Sequence, residues 1–436
     1  MRRAHILKKN FLGEKPTWVV FVDTETTKKR IDAKRKRLVF SLGWACLWSV
    51  KRQTYQWKFF KQRKVFWTWL LSVIPAKSKV YIIAHNIGFD MRILHAFSIL
   101  KKGKWKLEKY YNKGQTTIIT FRKGTRTICF LDNGNFFHGN LKGLGDSLGI
   151  EKLDMTKTDL SVYCKRDVEI LVEAWKRLVS YISDNNLGNF APTLASQAFN
   201  AFRHRFYNTP IYIHTHEKAI LTERGSYHGG RVECFHIGKV PGNKFYNLDI
   251  NSMYPFMMKT SRLPYKLIAV KKEMNLETAW IHINSLTRGL IARAIVRTDE
   301  PVFPVFVKGK LIYPVGTFET YISTPEIEYG LKKKLIIKLS DVNVYKTAIL
   351  FSEYVDFFYG QKKKFGEEGQ KAFYLFSKLM LNSLYGKFGQ KSEEYTPDGK
   401  TDYTGMMTEF DEEAETEKTY RCINGQKFLK RQFPRF

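Results

Sequence analysis

The sequence predicts an α/β region followed by an α+β region, and three observations carry that reading. Short apolar runs alternate with helical periodicity up to about residue 186, the pattern of a sheet covered by helices. From Gly225 onward, turn-rich strand patterns come first and two long helical patterns follow. The 436 residues are 44% apolar and 15% aromatic, enough to bury two or three cores.

In chain order, Trp18–Val22 is continuously apolar, and Leu38–Trp48 and Tyr55–Phe60 are rich in β-formers. Val80–Ala84 reads as a short buried strand. Helical spacing recurs at Val65–Ile74, Asp90–Leu100 and Ser161–Ile182. Asp184–Pro192, with NNLGN, breaks both patterns and sets the boundary between a first domain, 1–186, and a second, 187–436. A helix over Thr193–Tyr207 leads to the turn-rich GSYHGG at Gly225–Gly230. Strands follow at Arg231–His236, at Lys244–Asp249 and between Leu267 and Arg297, then helices at Phe351–Lys364 and Lys371–Tyr385. Between Glu393 and Glu417 ten acids stand against the single Lys400, which reads as a solvated loop or insertion.

Lys and Arg outnumber Asp and Glu by 73 to 41, a net charge of +32, so a polyanion is the expected partner and nucleic acid the leading one. Five scattered cysteines without a C-x-x-C pair argue against both a disulfide framework and a zinc site. With no secretory apolar core after MRRAHILKKN and no run of 18 apolar residues, the expectation is a soluble intracellular protein with no membrane partner.

Asp23 and Glu25 in FVDTETT lie two apart, so on a strand they share a face. Two acids there repel unless a cation sits between them, and a pair of hard ions such as Mg²⁺ can both activate water and stabilise a leaving oxygen. In YIIAHNIGFDMRIL an apolar strand runs into Asn86, Phe89 and Asp90. In YCKRDVEIL, Tyr163 and Asp167 fall four apart on one helix face. The order D-x-E, N-x-x-F-D, Y-x-x-x-D resembles the three exonuclease motifs of the proofreading DnaQ-like, ribonuclease H-like fold. That resemblance implies metal ligands at Asp23, Glu25, Asp90 and Asp167 and a water-positioning hydroxyl at Tyr163. Asn86 and Phe89 would then hold the 3′ end of a single strand.

Further along, SYHGGRVECF supplies Tyr227, Gly229 and Gly230, YNLDINSMYP supplies Asp249, Ser252 and Tyr254, and KLMLNSLYGKFG supplies Lys378, Asn382 and Tyr385. The last three recur at four and three residues, on one face of a helix that Gly386 and Gly389 end. Read without a family, this is either a half-exposed amphipathic helix or a face for a triphosphate and a base. Taken together, the stretches resemble the Y-x-G-G motif, motif A and motif B of family B DNA polymerases, and most closely their protein-primed branch of bacteriophages and linear plasmids.

The resemblance implies a partial right-hand polymerase domain, palm and fingers, with an insertion at about 262–348 that contacts a priming terminal protein. It implies two Mg²⁺ or Mn²⁺ ions per site, with primer-template DNA, single strands and deoxynucleoside triphosphates as partners. Asp249 becomes a catalytic palm ligand, and Tyr254 the steric gate under the sugar. Lys378, Asn382 and Tyr385 bind the incoming nucleotide, and Tyr227, Gly229, Gly230 and Ser252 contact DNA. The second palm aspartate of this family arrives as Y-x-D-T-D-S after motif B, and no such motif occurs before Phe436. The expectation is therefore a chain with a full exonuclease ligand set, an incomplete polymerase site and no thumb. A stand-alone Mg²⁺-dependent 3′–5′ exonuclease and a non-catalytic DNA-binding remnant are the alternatives.

Overall fold

The apolar run at Trp18 opens β1 (Trp18–Arg30), an inner strand of a seven-stranded mixed sheet in the computed structural model. The structure describes residues 4–30, 36–114, 116–242, 244–307, 309–403, 405–411, 416–423 and 425–434. Compactness divides the chain into a larger unit, Asn10–Arg205 with Phe357–Phe436, and a smaller one, Met1–Lys9 with Phe206–Asp356. Both are discontinuous in sequence, whereas the motifs divide the chain at 186/187.

In the larger unit, β2 (Lys36–Ser49), β3 (Thr54–Phe60), α1 (Arg63–Val73), β4 (Lys79–Ala84), α2 (Ile87–Ile93) and α3 (Ala96–Lys102) come first. Then follow β5 (Lys106–Lys113), β6 (Thr116–Lys123), β7 (Arg126–Asp132), α4 (Leu141–Leu148), α5 (Leu160–Asp184) and α6 (Leu194–Ala201). The strand order is β3-β2-β1-β4-β7-β6-β5, with β1, β4 and β7 parallel and the flanking strands antiparallel. The parallel centre is buried on both faces, which is why Val19–Val22 and Ile82–Ala84 read as unbroken apolar runs. One face packs Phe66, Trp67 and Leu70 of α1 against Phe60 and Val22. On α5, Trp175 stacks near Phe21 and Phe136, and its indole N–H donates to the buried Asn133 at 2.9 Å.

The helix expected over Asp90–Leu100 is instead two, α2 and α3, broken at His95 with φ 53°. The carbonyls of Ile93 and Leu94, which a continuous helix would use itself, accept from Arg63 and Trp67 of α1. Likewise the helix over Thr193–Tyr207 is α6 followed by one π-helical stretch, Phe202–Phe206. β5, β6 and β7 lie outside the sequence expectations, because KLEKYYNK and TTIITFRK carry too many polar residues to show a clean period.

The smaller unit holds α7 (Glu217–Ser226), α8 (Met253–Thr260), β8 (Leu263–Met274), α9 (Leu276–Asn284), β9 (Arg288–Thr298), β10 (Gly316–Ser323), α10 (Thr324–Lys332) and β11 (Ile336–Ala348). Its sheet is antiparallel, β8-β11-β9-β10, with Leu290, Ala292, Val296, Ile322, Leu339 and Val344 in the core. A capping box, Ser323 with Glu326, starts α10. The strands expected at Arg231–His236 and Lys244–Asp249 do not form. Val232, Phe235, Ile237, Tyr246 and Leu248 are exposed there, and the backbone has no ladder partner among the described residues. A β pattern without a neighbour to pair with does not hold its strand.

The larger unit resumes at Phe357, within α11 (Ser352–Glu367), and continues with α12 (Lys371–Gly389); Phe365, Phe373 and Phe376 pack round Tyr181 of α5. α12 runs through Gly386 and ends at Gly389. Beyond it the acidic stretch is not a loop. It lies in a four-stranded antiparallel sheet of β12 (Lys391–Lys400), β13 (Gly405–Asp411), β14 (Thr416–Ile423) and β15 (Gln426–Pro434), ordered β12-β15-β14-β13. Charge alone misreads the stretch because its partners bring what it lacks: Lys427 bonds Glu409, and Tyr420, Cys422 and Phe428 are buried. Glu412, Glu413 and Glu415 lie outside the described residues. Among the described residues no helix is long and apolar enough to cross a membrane.

Gly43 of β2 tests how tightly the sheet closes beside Asp23. A Cβ there would sit 2.4 Å from the Phe60 ring and 2.9 Å from the Asp23 carbonyl oxygen. Gly43→Ala is expected to lower stability by about 1–3 kcal/mol through overpacking, read as a lower urea midpoint. Gly13→Ala, with nothing within 4 Å, is the control.

Candidate active site

β1 pairs with β4 only as far as Phe21 opposite Ile83, so Asp23 and Glu25 lie just beyond the end of the parallel pairing. They do not end their strand, as the sequence suggests; β1 runs on to Arg30 against β2, with a register shift between Glu25 and Thr26. Asp90, 1% exposed, reaches the same point from α2, and its carboxylate accepts the Thr24 hydroxyl at 2.7 Å. Asp167 and Tyr163 come from α5, which packs on β1 and β2, and both are nearly buried. The exonuclease-like motifs, far apart in sequence, thus meet at the carboxyl end of the parallel strands, where open α/β sheets place ligands.

The electrostatics are those of crowded acids. Burial, then Asp167 and Glu25, push Asp23 up to about 7. Burial, then Asp167, raise Glu25 to about 7 as well. Asp90 is raised by burial and by Asp23, and Asp167 is raised by burial against the opposing pull of Lys152. Asp23 Oδ2 and Asp167 Oδ1 are buried without a hydrogen-bond partner. Oxygen donors that repel one another and lack protein partners fit a hard divalent cation.

Lys152 is a site residue that the sequence reading misses. Its ammonium bonds Asp167 Oδ2 and lies 4.3 Å from the centre of the Tyr163 ring, so one cation addresses both α5 residues. It sits in the irregular GIEKLDM, where no periodicity or motif marks it. His85 is a second: it contacts Asn133 at 3.3 Å, and burial lowers its pKa although Asp132 and Asp167 pull the other way. Cys164, next to Tyr163, is a third, with its sulfur in the acidic cluster.

Asn86 is exposed and adopts φ 68° as the residue before α2, while Phe89 is half-buried one turn in. Both lie at the start of the helix that carries Asp90, and neither is buried in the core.

The residues of the second motif set fall in both units. In the smaller unit Tyr227 ends α7 and is exposed, and nothing lies within 4 Å of a Cβ at Gly229. A Cβ at Gly230 would stand 3.3 Å from the Tyr254 hydroxyl, so the Y-x-G-G stretch and motif A do meet. Ser252, with φ 58°, precedes α8, and Tyr254 is exposed on its first turn. Asp249 is exposed in the irregular segment before it. Among the described residues, Asp249 joins no group of acids, histidines and cysteines able to hold a metal. In the larger unit Lys378, Asn382 and Tyr385 are exposed along α12, as their spacing requires. Asn382, Tyr385 and Lys387 line a cleft of about 950 Å³ with Lys109, Tyr111 and Ser196.

The raised acids give stability a definite pH dependence in the absence of metal. Asp23 and Glu25 bind protons more tightly folded than unfolded, so stability falls as pH rises from about 4 and levels off above about 7. In chelator the melting temperature is expected to drop between about pH 4 and 7, and excess Mg²⁺ to restore it at the upper end. A profile flat in pH and indifferent to Mg²⁺ contradicts the cluster.

The profile of a family described as DNA polymerase type B, organellar and viral, matches residues 149–436. A probable DNA polymerase of Agaricus bitorquis is 31% identical over 342 residues, 74% of this chain and 40% of that protein. The DNA-directed DNA polymerase of Enterobacteria phage PRD1 is 31% identical over 179 residues, 39% of this chain and 29% of its own. The chain therefore spans less than half the length of either relative. Among solved structures, Phi29 DNA polymerase complexed with primer-template DNA and incoming nucleotides superposes with a TM-score of 0.60 at 18% identity, covering 95% of this chain and 74% of that one. Phi29 DNA polymerase complexed with single-stranded DNA gives 0.57 at 17% identity, covering 96% and 72%. Those superpositions establish a shared mixed α/β fold; with the profile matched over more than half its length, the chain belongs to the organellar and viral, protein-primed type B DNA polymerases.

Proposed function

We infer that this chain carries the 3′–5′ proofreading exonuclease, and part of the polymerase site, of a protein-primed type B DNA polymerase acting in viral or plasmid DNA replication. The observation that carries the nuclease half is the clustering of Glu25, Asp90 and Asp167 around Asp23, each close enough to perturb its ionisation or be perturbed by it, with two buried carboxylate oxygens left without partners. On this reading residues 1–186 are the nuclease domain, ribonuclease H-like, and 187–436 belong to the palm and fingers.

The four carboxylates would hold two Mg²⁺ or Mn²⁺ ions, which when bound polarise the attacking water and the leaving 3′ oxygen. Tyr163 orients the water through its hydroxyl. Lys152 holds both Asp167 and Tyr163 and offsets part of the excess negative charge. Asn86 and Phe89, at the start of α2, receive the terminal nucleotide, the ring by stacking on a base. Basic surface draws in the strand, and the terminal protein would engage the sheet at 263–348.

On the polymerase side, Lys378 as a point charge, Asn382 and Tyr385 serve the incoming deoxynucleoside triphosphate, Tyr254 rejects a 2′-hydroxyl, and Ser252 with the Tyr227, Gly229 and Gly230 stretch meets DNA. Asp249 supplies one palm carboxylate. Nucleotidyl transfer by two ions requires a second, and among the described residues Asp249 belongs to no group of three or more acids, histidines and cysteines.

Two assays test this reading. A 3′-labelled single strand with Mg²⁺ is expected to be degraded from its labelled end, and Asp23→Ala to slow this by about 10²–10³-fold or more; an intact strand at high enzyme refutes the nuclease half. On primed template with nucleotides, extension by this chain is not expected. Nucleotide binding followed by calorimetry is expected to weaken about tenfold or more in Lys378→Ala; binding unchanged by that substitution favours the alternative of a stand-alone nuclease.

A further inference from the structure

Cys164 has no role in the nuclease reading, although its sulfur lies in the acidic centre. It is fully buried on α5, and its Sγ, an Asp23 carboxylate oxygen and a Glu25 carboxylate oxygen all lie within 4.8 Å of one another. The thiol donates to the Asp23 backbone oxygen at 3.4 Å. A second observation stands beside it: Asp23, and Asp167 close enough to raise its pKa, each keep one buried carboxylate oxygen without a hydrogen-bond partner. The bland alternative is a packing thiol. Cys46 and Cys129 are equally buried and belong to no such group.

We propose that Cys164, Asp23 and Glu25 form a thiol-bearing site for a thiophilic divalent cation, Zn²⁺ or Cd²⁺, which overlaps the hard-ion centre so that such a cation displaces Mg²⁺. Mg²⁺ takes oxygen ligands and leaves the thiol idle; Zn²⁺ and Cd²⁺ take thiolate readily. On binding, the S–H bond breaks, a sulfur–metal bond forms, the proton goes to solvent, and no oxidation state changes. Burial, with Asp23 beside it, keeps the thiol protonated until then. With Zn–S about 2.3 Å and Zn–O about 2.1 Å, ligand atoms round a tetrahedral ion stand roughly 3.5 Å apart, so the group, within 4.8 Å, must close by no more than about 1.3 Å. Glu25, only half-buried, has the freedom to do so.

The consequence for activity rests on the nuclease reading, but the binding does not, and the experiment separates them. The full chain carrying Cys234→Ser, which removes the exposed thiol, is stripped with chelator and titrated with Cd²⁺ in the absence of DNA. A saturable ultraviolet thiolate-to-cadmium absorption is expected. Cys164→Ser should abolish it, and Asp23→Asn, which keeps the thiol, should weaken Cd²⁺ binding about tenfold, or about 1.4 kcal/mol. Circular dichroism checks folding; should Cys164→Ser not fold, Cys164→Ala and Asp23→Asn decide. A band undiminished without Cys164, or an affinity untouched by Asp23→Asn, overturns the proposal. A Cd²⁺ band without Mg²⁺-dependent degradation supports this site and sinks the nuclease reading, whereas degradation without the band does the reverse.

Discussion

The burial of carboxylates, sharpened by their mutual repulsion, just beyond the parallel pairing of β1 is the constraint on which the larger unit turns. Raising Asp23 from 3.8 to about 7 corresponds to about 4 kcal/mol for ionising that one group in the metal-free site. Such a figure is a large part of the 5–15 kcal/mol by which domains are stable. The sheet tolerates it because the surroundings are rigid: β1 is clamped between β2 and β4, α5 packs across it, and Trp175 is pinned to Asn133. Lys152 and Thr24 compensate in part, one on Asp167 and one on Asp90. Asp23 itself has only a thiol and a distant ammonium to lower its pKa. The remaining imbalance is what a divalent cation would remove.

Legibility in the sequence follows from how local each feature is. Asp23, Glu25, Asp90, Tyr163 and Asp167 could be found because each sits in a short pattern whose period fixes a face, and strand and helix ends then fix where that face points. Lys152 could not be found, because it reaches Asp167 from an irregular segment and only the packing of α4 and α5 brings it there. The same holds for Cys164, which sequence reads as one more scattered cysteine. Its place beside Asp23 depends on the helix lying against β1.

Where sequence and structure part, long-range pairing decides. Residues 231–250 have the apolar composition of strands and a V-P-G-N turn between them, yet they stay irregular and exposed. The acidic 393–417 stretch looks solvated, yet β15 and β14 give most of it a ladder. Propensity states only what a segment can become, and the neighbouring strand determines whether it does. His95 shows the same at smaller scale, where two carbonyls captured by α1 split a helix that periodicity alone would continue.

The two motif sets differ in the same respect. Asp90 and Asp167 are carried by regular elements and are buried, so their oxygens are largely dehydrated, the condition under which charge does the most chemical work. Asp249 rides on a segment with no ladder and stands in solvent, so its carboxylate is neither oriented nor dehydrated. Lys378, Asn382 and Tyr385 are intermediate: α12 fixes them on one face, held by aromatic packing on α5, but the face itself is open. A helix can hold its register without a substrate-side partner, because its hydrogen bonds are internal. A palm strand cannot, because half of its hydrogen bonds belong to a neighbour. That difference is why motif B is formed while motif A is only present.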